Sequence, residues 1–249
     1  MIALDGLAAW PVALTLAAAF FGAAVVRGYS GFGFAAIVLG IAALVTDPVP
    51  LIPVIFILEI VMSAAQARSL RGHVDWSRLL WLWAGAVIAM PVAILVLLAL
   101  PETIVRLGLS ALIGAMALVL LTGWTLRRPL PPPAHAAVGI VAGIANAVAV
   151  GGLPVAASLA AQPLPPAVFR ATMIVFLAGI DIVGLPIMAW GGNVGLGTFQ
   201  LTALAAPIVG LGLWLGNRRF LLAPPAAFRR FAMWLLLALS VLGLVKGLA

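Results

Sequence analysis

Residues 27–40 read RGYSGFGFAAIVLG, which sets a guanidinium, glycines at 28, 31 and 33 and the Ser30 hydroxyl inside an otherwise apolar run. The surroundings are those of a membrane chain. Only 8% of the 249 residues are charged and 65% are hydrophobic, with a mean hydropathy of +1.30, where a soluble domain carries roughly 25% charged residues. In hydrocarbon every backbone N–H and C=O must be satisfied from within the protein. Glycines that loosen a helix beside a charge are therefore tolerated only where protein shelters the backbone or a cavity is lined by it. A second stretch, Asn146–Pro154 (NAVAVGGLP), repeats the device. The remaining chain reads as scaffold that brings these two interrupted segments together.

Composition excludes several classes. The chain has no cysteine, hence no disulfide framework, thiolate nucleophile or Cys-based metal site. The net charge of +7 comes from basic residues dispersed in short loops, so no nucleic-acid-binding face forms. The start MIALDGLAAW has no basic region ahead of an apolar core and no small-residue cleavage site, and the first span is expected to stay in the membrane. Two histidines, His73 and His135, are expected in polar loops. With them and six acids, no catalytic triad, His-rich metal cluster or catalytic carboxylate pair at one membrane face can be assembled. No catalytic residue, metal ligand or cofactor is expected.

The apolar spans are 7–26, 31–45, 51–67, 79–100 and 103–124, then, after the Arg127–His135 break (RRPLPPPAH), 136–150, 151–161, 170–190, 199–216 and 230–248. The prolines of the break predict that no helix continues through it. Crossing needs about 20 residues, so 136–150 and 151–161 read as half-helices or a re-entrant hairpin. The expected fold is an all-α integral membrane protein with about eight to ten apolar segments.

Each half holds five segments, and the halves correspond. Gly22 answers Gly139, Glu59-Ile60-Val61 answers Asp181-Ile182-Val183, Pro91 answers Pro207, and Arg106 with Gly123 has the spacing of Arg230 with Gly247. Charge placement reverses between them. Arg68, Arg71 and Arg78 follow the third segment while Pro101-Glu102 has no base; in the second half GGNVGLGT (191–198) is uncharged and the next loop carries Arg218, Arg219, Arg229 and Arg230. By the positive-inside rule the copies are inserted upside down relative to each other. Residues 1–126 thus form the first inverted repeat, 127–135 a cytoplasmic linker and 136–249 the second repeat, with both termini outside. Inverted repeats with interrupted helices characterise secondary transporters, which bind substrate at the repeat interface near mid-membrane.

The Gly28–Gly40 segment with its GFGF core, Gly151-Gly152 followed by Leu153-Pro154, and Phe169-Arg170-Ala171-Thr172 together resemble the TauE/SafE sulfite exporter family over essentially the whole chain. That resemblance implies transport of a small sulfur-containing anion, such as sulfite or an organosulfonate like sulfoacetate, across the bacterial inner membrane. The glycine motifs are more specific for the family than for the substrate.

The residues suit an anion. Arg27 offers planar, bidentate donors to an oxyanion, and helix starts freed by Gly28, Gly31, Gly33, Gly151 and Gly152 present N–H groups and a positive dipole end. Tyr29, Ser30, Asn146 and Arg170 complete the candidate substrate-binding set. Two alternatives stand beside this reading: Arg27 as an anchor snorkelling to the membrane face, and the glycines as close helix-packing positions.

Glu59 and Asp181 lie deep in apolar spans at matching positions, where a charge costs about 2.5–3.5 kcal/mol. One reading is proton coupling, each acid taking up a proton in part of the cycle. The other is a structural carboxyl paired with Arg27, Arg170 or a hydroxyl. Trp76, Trp81, Trp83, Trp124 and Trp190 are expected as interfacial anchors. Gln66, Asn193 and Gln200 are candidates for an access path. A secondary transporter using alternating access is the expected function, and a passive anion channel on the same scaffold is the alternative.

Overall fold

The computed structural model describes residues 10–101 and 130–220, with single positions between 103 and 118 and at Trp234. Among the described residues there is no strand, and five helical stretches are long and apolar enough to cross a membrane. The helices are α1 (Trp10–Ser30), α2 (Phe34–Val45), α3 (Ile52–Leu70, entered through a 3₁₀ turn at Val49–Leu51), α4 (Trp76–Ala99), α5 (Pro132–Asn146), α6 (Gly152–Ala160), α7 (Pro166–Trp190) and α8 (Leu196–Phe220). The chain is an all-α membrane protein.

Several boundaries differ from the sequence expectation for identifiable reasons. Helix α1 runs through Arg27 and Gly28 to Ser30, and the break falls at Gly31 and Gly33, whose φ of 83° and 92° lie in the left-handed region that favours glycine. The proline-rich break was expected to be free of helix, yet α5 starts inside it at Pro132, with a second proline at 133. Proline is tolerated there because first-turn N–H groups have no intrahelical partner to lose. His135 accordingly is not in a polar loop. It is buried in the first turn of α5 with Nδ1 3.2 Å from the Pro131 carbonyl oxygen. The expected correspondence of Arg106 and Gly123 with Arg230 and Gly247, and Trp124, lie outside the described residues.

Two tight helix pairs frame the molecule. On one side α4 packs on α5, and a Cβ built on Gly85, Gly139 or Gly143 would stand 2.0, 2.2 or 2.4 Å from a backbone carbonyl oxygen across the seam. On the other side α1 packs on α8, where the same test at Gly28, Gly212 and Gly216 gives 2.6, 2.6 and 2.2 Å. Absent side chains let the backbones touch, which is how helices associate in a solvent as apolar as their own leucines. Between these pairs α3 packs against α7, and the short α2 and α6 lean on α1 and α5. A core including Phe34, Phe56, Met90, Phe176 and Leu177 fills the middle.

Trp83 departs from the expected interfacial role. Its indole N–H donates to the Phe176 carbonyl at 3.0 Å, and its ring covers Gly179, so it joins α4 to α7. Trp76, Trp81 and Trp190 are exposed, as anchors at a membrane boundary would be.

Candidate functional site

Arg27 sits in the last turn of α1, fully buried at 0% exposure. A snorkelling arginine would reach the membrane face, and this one does not. Its Nη1 lies 3.4 Å from Glu59 Oε1 and donates to the Gly31 carbonyl at 3.3 Å; its Nη2 donates to Ser63 Oγ at 2.8 Å. Ser63 Oγ in turn donates a hydrogen bond to the Glu59 carbonyl oxygen at 2.7 Å, within α3. The i, i+4 spacing of Glu59 and Ser63 puts both on one face of α3, so one helix supplies the carboxylate and the hydroxyl that hold the guanidinium.

The Glu59 carboxyl in turn neighbours the Asp181 carboxyl on α7. Asp181 Oδ1 accepts from Asn146 Nδ2 at 3.3 Å, while Asp181 Oδ2 meets no donor among the described residues. Ser63, Arg27, Glu59, Asp181 and Asn146 thus form one buried polar chain crossing α3, α1, α7 and α5. The structure brings together both acids and two of the binding residues expected from the sequence. Ser63 is an addition, legible only as a hydroxyl one turn from Glu59.

Beside this chain is a cavity of about 10 Å³, lined by Gly33, Ala35 and Ala36 at the start of α2, Ala149, Val150, Gly152 and Leu153 at the start of α6, and Glu59 and Leu177. That volume accommodates about one water molecule. Both glycine-broken stretches therefore open onto the same small space. At the start of α2 the left-handed Gly33 turns the chain so that the first-turn N–H groups, which lack intrahelical acceptors, begin at the cavity wall. At α6 the lead-in Ala149 adopts φ 56°, and a Cβ on Gly152 would meet Leu177 at 3.0 Å.

The other candidates are placed differently. Gly28 faces the α8 backbone, so close packing, the alternative considered for it, describes its contact. Ser30 Oγ lies 2.8 and 2.9 Å from the Val26 and Phe32 carbonyl oxygens, so its one proton is donated within its own segment and closes the end of α1. Tyr29 is buried. A Cβ on Gly151 would collide with Asn146 and the Ala142 carbonyl. Arg170 donates to the Gly28 carbonyl at 2.7 Å and to Asn217 Oδ1. Asn217 Oδ1 also accepts from Gln66 Nε2 at 2.7 Å. Gln66 was a candidate for an access path, and here it ties α3 to α8. Asn193 lies in the turn after α7 and bonds the Gly191 carbonyl.

A further polar knot centres on Gln162. Its Oε1 accepts from Arg78 Nε and from the Leu130 N–H, at 3.4 and 3.3 Å, and its Nε2 donates to the Ser158 carbonyl and lies 3.4 Å from His135 Nε2. Arg78 also pairs with Asp75, which caps α4 by accepting from the Arg78 N–H at 3.1 Å. Asp75 is thus a partly buried helix cap.

The chain is 26% identical over 223 residues, 85% of each chain, to a protein of Cupriavidus necator described as a probable sulfite/organosulfonate exporter TauE. No solved structure matches. The model of the family described as sulfite exporter TauE/SafE matches residues 16–242, which takes in both broken stretches and both buried acids. With its match running through every helix described above, this chain is a member of the TauE/SafE sulfite exporter family.

Proposed function

We propose that the chain is a secondary transporter that moves a small sulfur-containing anion, sulfite or a compact organosulfonate, across the bacterial inner membrane by alternating access with proton coupling. The observation that carries this reading is the convergence of two helix starts, α2 and α6, and of Glu59, the carboxylate paired with Arg27, on one small cavity. Backbone N–H groups and a guanidinium are the donors an oxyanion needs after losing its water. The family membership and the name of the Cupriavidus relative point to the same solute class.

The carboxylates supply the coupling. Glu59 occupies the guanidinium that an anion would use, and an ionised Glu59 repels that anion. Glu59 and Asp181 are neighbouring carboxyls, and Asp181 Oδ2 meets no donor among the described residues; one proton shared by the pair removes the repulsion between them. A second proton frees Arg27 for the anion. Loading from either side therefore strengthens as that side becomes more acidic. The one-water cavity represents the occluded, unloaded state, and the tips of the α1–α2 and α5–α6 hairpins part to admit substrate. The exchanged packing, α1 on α8 and α5 on α4, supports two related halves, and the reversed basic loops support their opposite insertion.

Proteoliposomes preloaded with labelled sulfite, thiosulfate, sulfoacetate or taurine test the reading. A pH gradient, acidic on the loaded side, is expected to speed efflux of at least one sulfur anion at least tenfold. Arg27→Ala is expected to abolish the efflux, and Glu59→Gln combined with Asp181→Asn to leave efflux that no longer responds to the gradient. Flux indifferent to pH in the unaltered protein, or retained in Arg27→Ala, sinks the proposal.

A further inference from the structure

A second and much larger space lies outside the site. Between α3 and α7 runs a groove of about 490 Å³ walled by Ile60, Ala64, Ala67, Ile174, Ala178 and Ile182. The groove is almost wholly apolar along these walls. Ala64, Ala67 and Ile182 are exposed, so it opens on the outer surface of the bundle where acyl chains lie. One end is different. There the α3–α4 turn supplies Arg71 and the exposed Trp76, with Arg68 one turn back on α3. Among the described residues neither Arg68 nor Arg71 pairs with a carboxylate, since the nearby Asp75 is committed to Arg78.

We propose that this groove binds one anionic phospholipid, its phosphodiester on Arg71 and Arg68 and one acyl chain laid between α3 and α7 toward mid-membrane. Three features argue for that occupant. The polarity gradient, two free guanidinium groups and an indole at the boundary with hydrocarbon walls beyond, is the profile of a lipid from headgroup to tail. Alanines at 64, 67 and 178 open a space of about 490 Å³ between the isoleucines at 60, 174 and 182, room that an acyl chain can fill. A second copy seated here by two-fold symmetry would bring each Arg68 and Arg71 towards its own counterpart, which like charge disfavours. The assignment does not depend on which solute the protein carries.

The groove also touches the site. Ser63 lines its floor and holds Arg27 Nη2 with the same hydroxyl, so a chain in the groove packs against the residue that fixes the guanidinium.

The test is photo-crosslinking of the full chain in vesicles of equal phosphatidylglycerol and phosphatidylcholine, with a benzophenone side chain introduced at Ala64 or, separately, at Ala67. Mass spectrometry is expected to find the chain plus one phospholipid, with phosphatidylglycerol at least threefold over its share of the vesicle. Arg71→Gln combined with Arg68→Gln is expected to return that ratio to the vesicle composition. A product of twice the chain mass identifies a second copy as the occupant and overturns the proposal. So does a crosslink within the chain, an adduct ratio equal to the vesicle composition in the unaltered protein, or no adduct at either position.

Discussion

At the scale of the residue, the molecule concentrates its cost in one place. A buried guanidinium is tolerable because Glu59, Ser63 and the Gly31 carbonyl meet it, and removing one partner leaves an uncompensated charge. Glu59→Ala is expected to destabilise the fold by about 3–5 kcal/mol, and Ser63→Ala by about 1–2 kcal/mol, in thermal or denaturant unfolding in detergent. A Ser63→Ala protein as stable as the unaltered one would show that water or another donor replaces the hydroxyl. Gln162 is the other sensitive point, because one amide satisfies Arg78, the Leu130 N–H, the Ser158 carbonyl and His135. Gln162→Leu strands those groups and is expected to cost about 2–3 kcal/mol, whereas replacement of the exposed Gln200 should be silent in the same assay. Buried acids in apolar runs, a cation before glycines and hydroxyls near both were legible in the sequence, since each contradicts its surroundings. The identity of their partners was not. Nothing in a linear pattern says that Asn146 reaches Asp181, that Gln162 reaches His135, or that Trp83 spans to α7, because those contacts are made by packing between helices distant in sequence.

At the scale of the element, glycine does two separate jobs. In the α4–α5 and α1–α8 seams it removes bulk, and at Gly31 and Gly33 it permits a left-handed turn. The two jobs predict different failures. Gly139→Ala drives a methyl group into the Leu82 carbonyl and is expected to lower stability by about 1–3 kcal/mol. Gly33→Ala meets only Val26, at 3.5 Å, but must hold φ near 92°, a strain on the order of 1–2 kcal/mol. Its expected effect is chiefly on anion flux, through the start of α2. A Gly33→Ala protein with full flux and reduced stability would reverse that assignment. Sequence reasoning found the apolar spans and the breaks, but it treated all glycines of the first stretch as one feature. Gly28 belongs to the seam and Gly31 with Gly33 to the turn, a division that depends on where α8 packs. The start of α5 was missed for a similar reason: proline forbids a helix interior yet suits a first turn, and composition alone cannot say which position a proline holds.

At the scale of the whole molecule, two short helices are held face to face by two long-helix pairs, and the proposed cycle requires them to separate. The chain has no cysteine, so a pair introduced at Ala36 and Leu153, across the cavity, can be joined by a short thiol-reactive crosslinker without side reactions. Crosslinking is expected to stop anion flux and a cleavable linker to restore it on reduction; flux that persists through a completed crosslink would rule out opening at this place. Opposite insertion of the halves has its own test. Single cysteines replacing Gly72 and Gly192 should react with a membrane-impermeant reagent from opposite sides of the bilayer, Gly72 from the cytoplasm.

The narrowness of the space between the two broken stretches bears on the cell as well as on the cycle. With room for about one water, this space holds no chain of solvent, so in the proposed cycle a leak of ions through a membrane crowded with copies has to wait until the hairpin tips part.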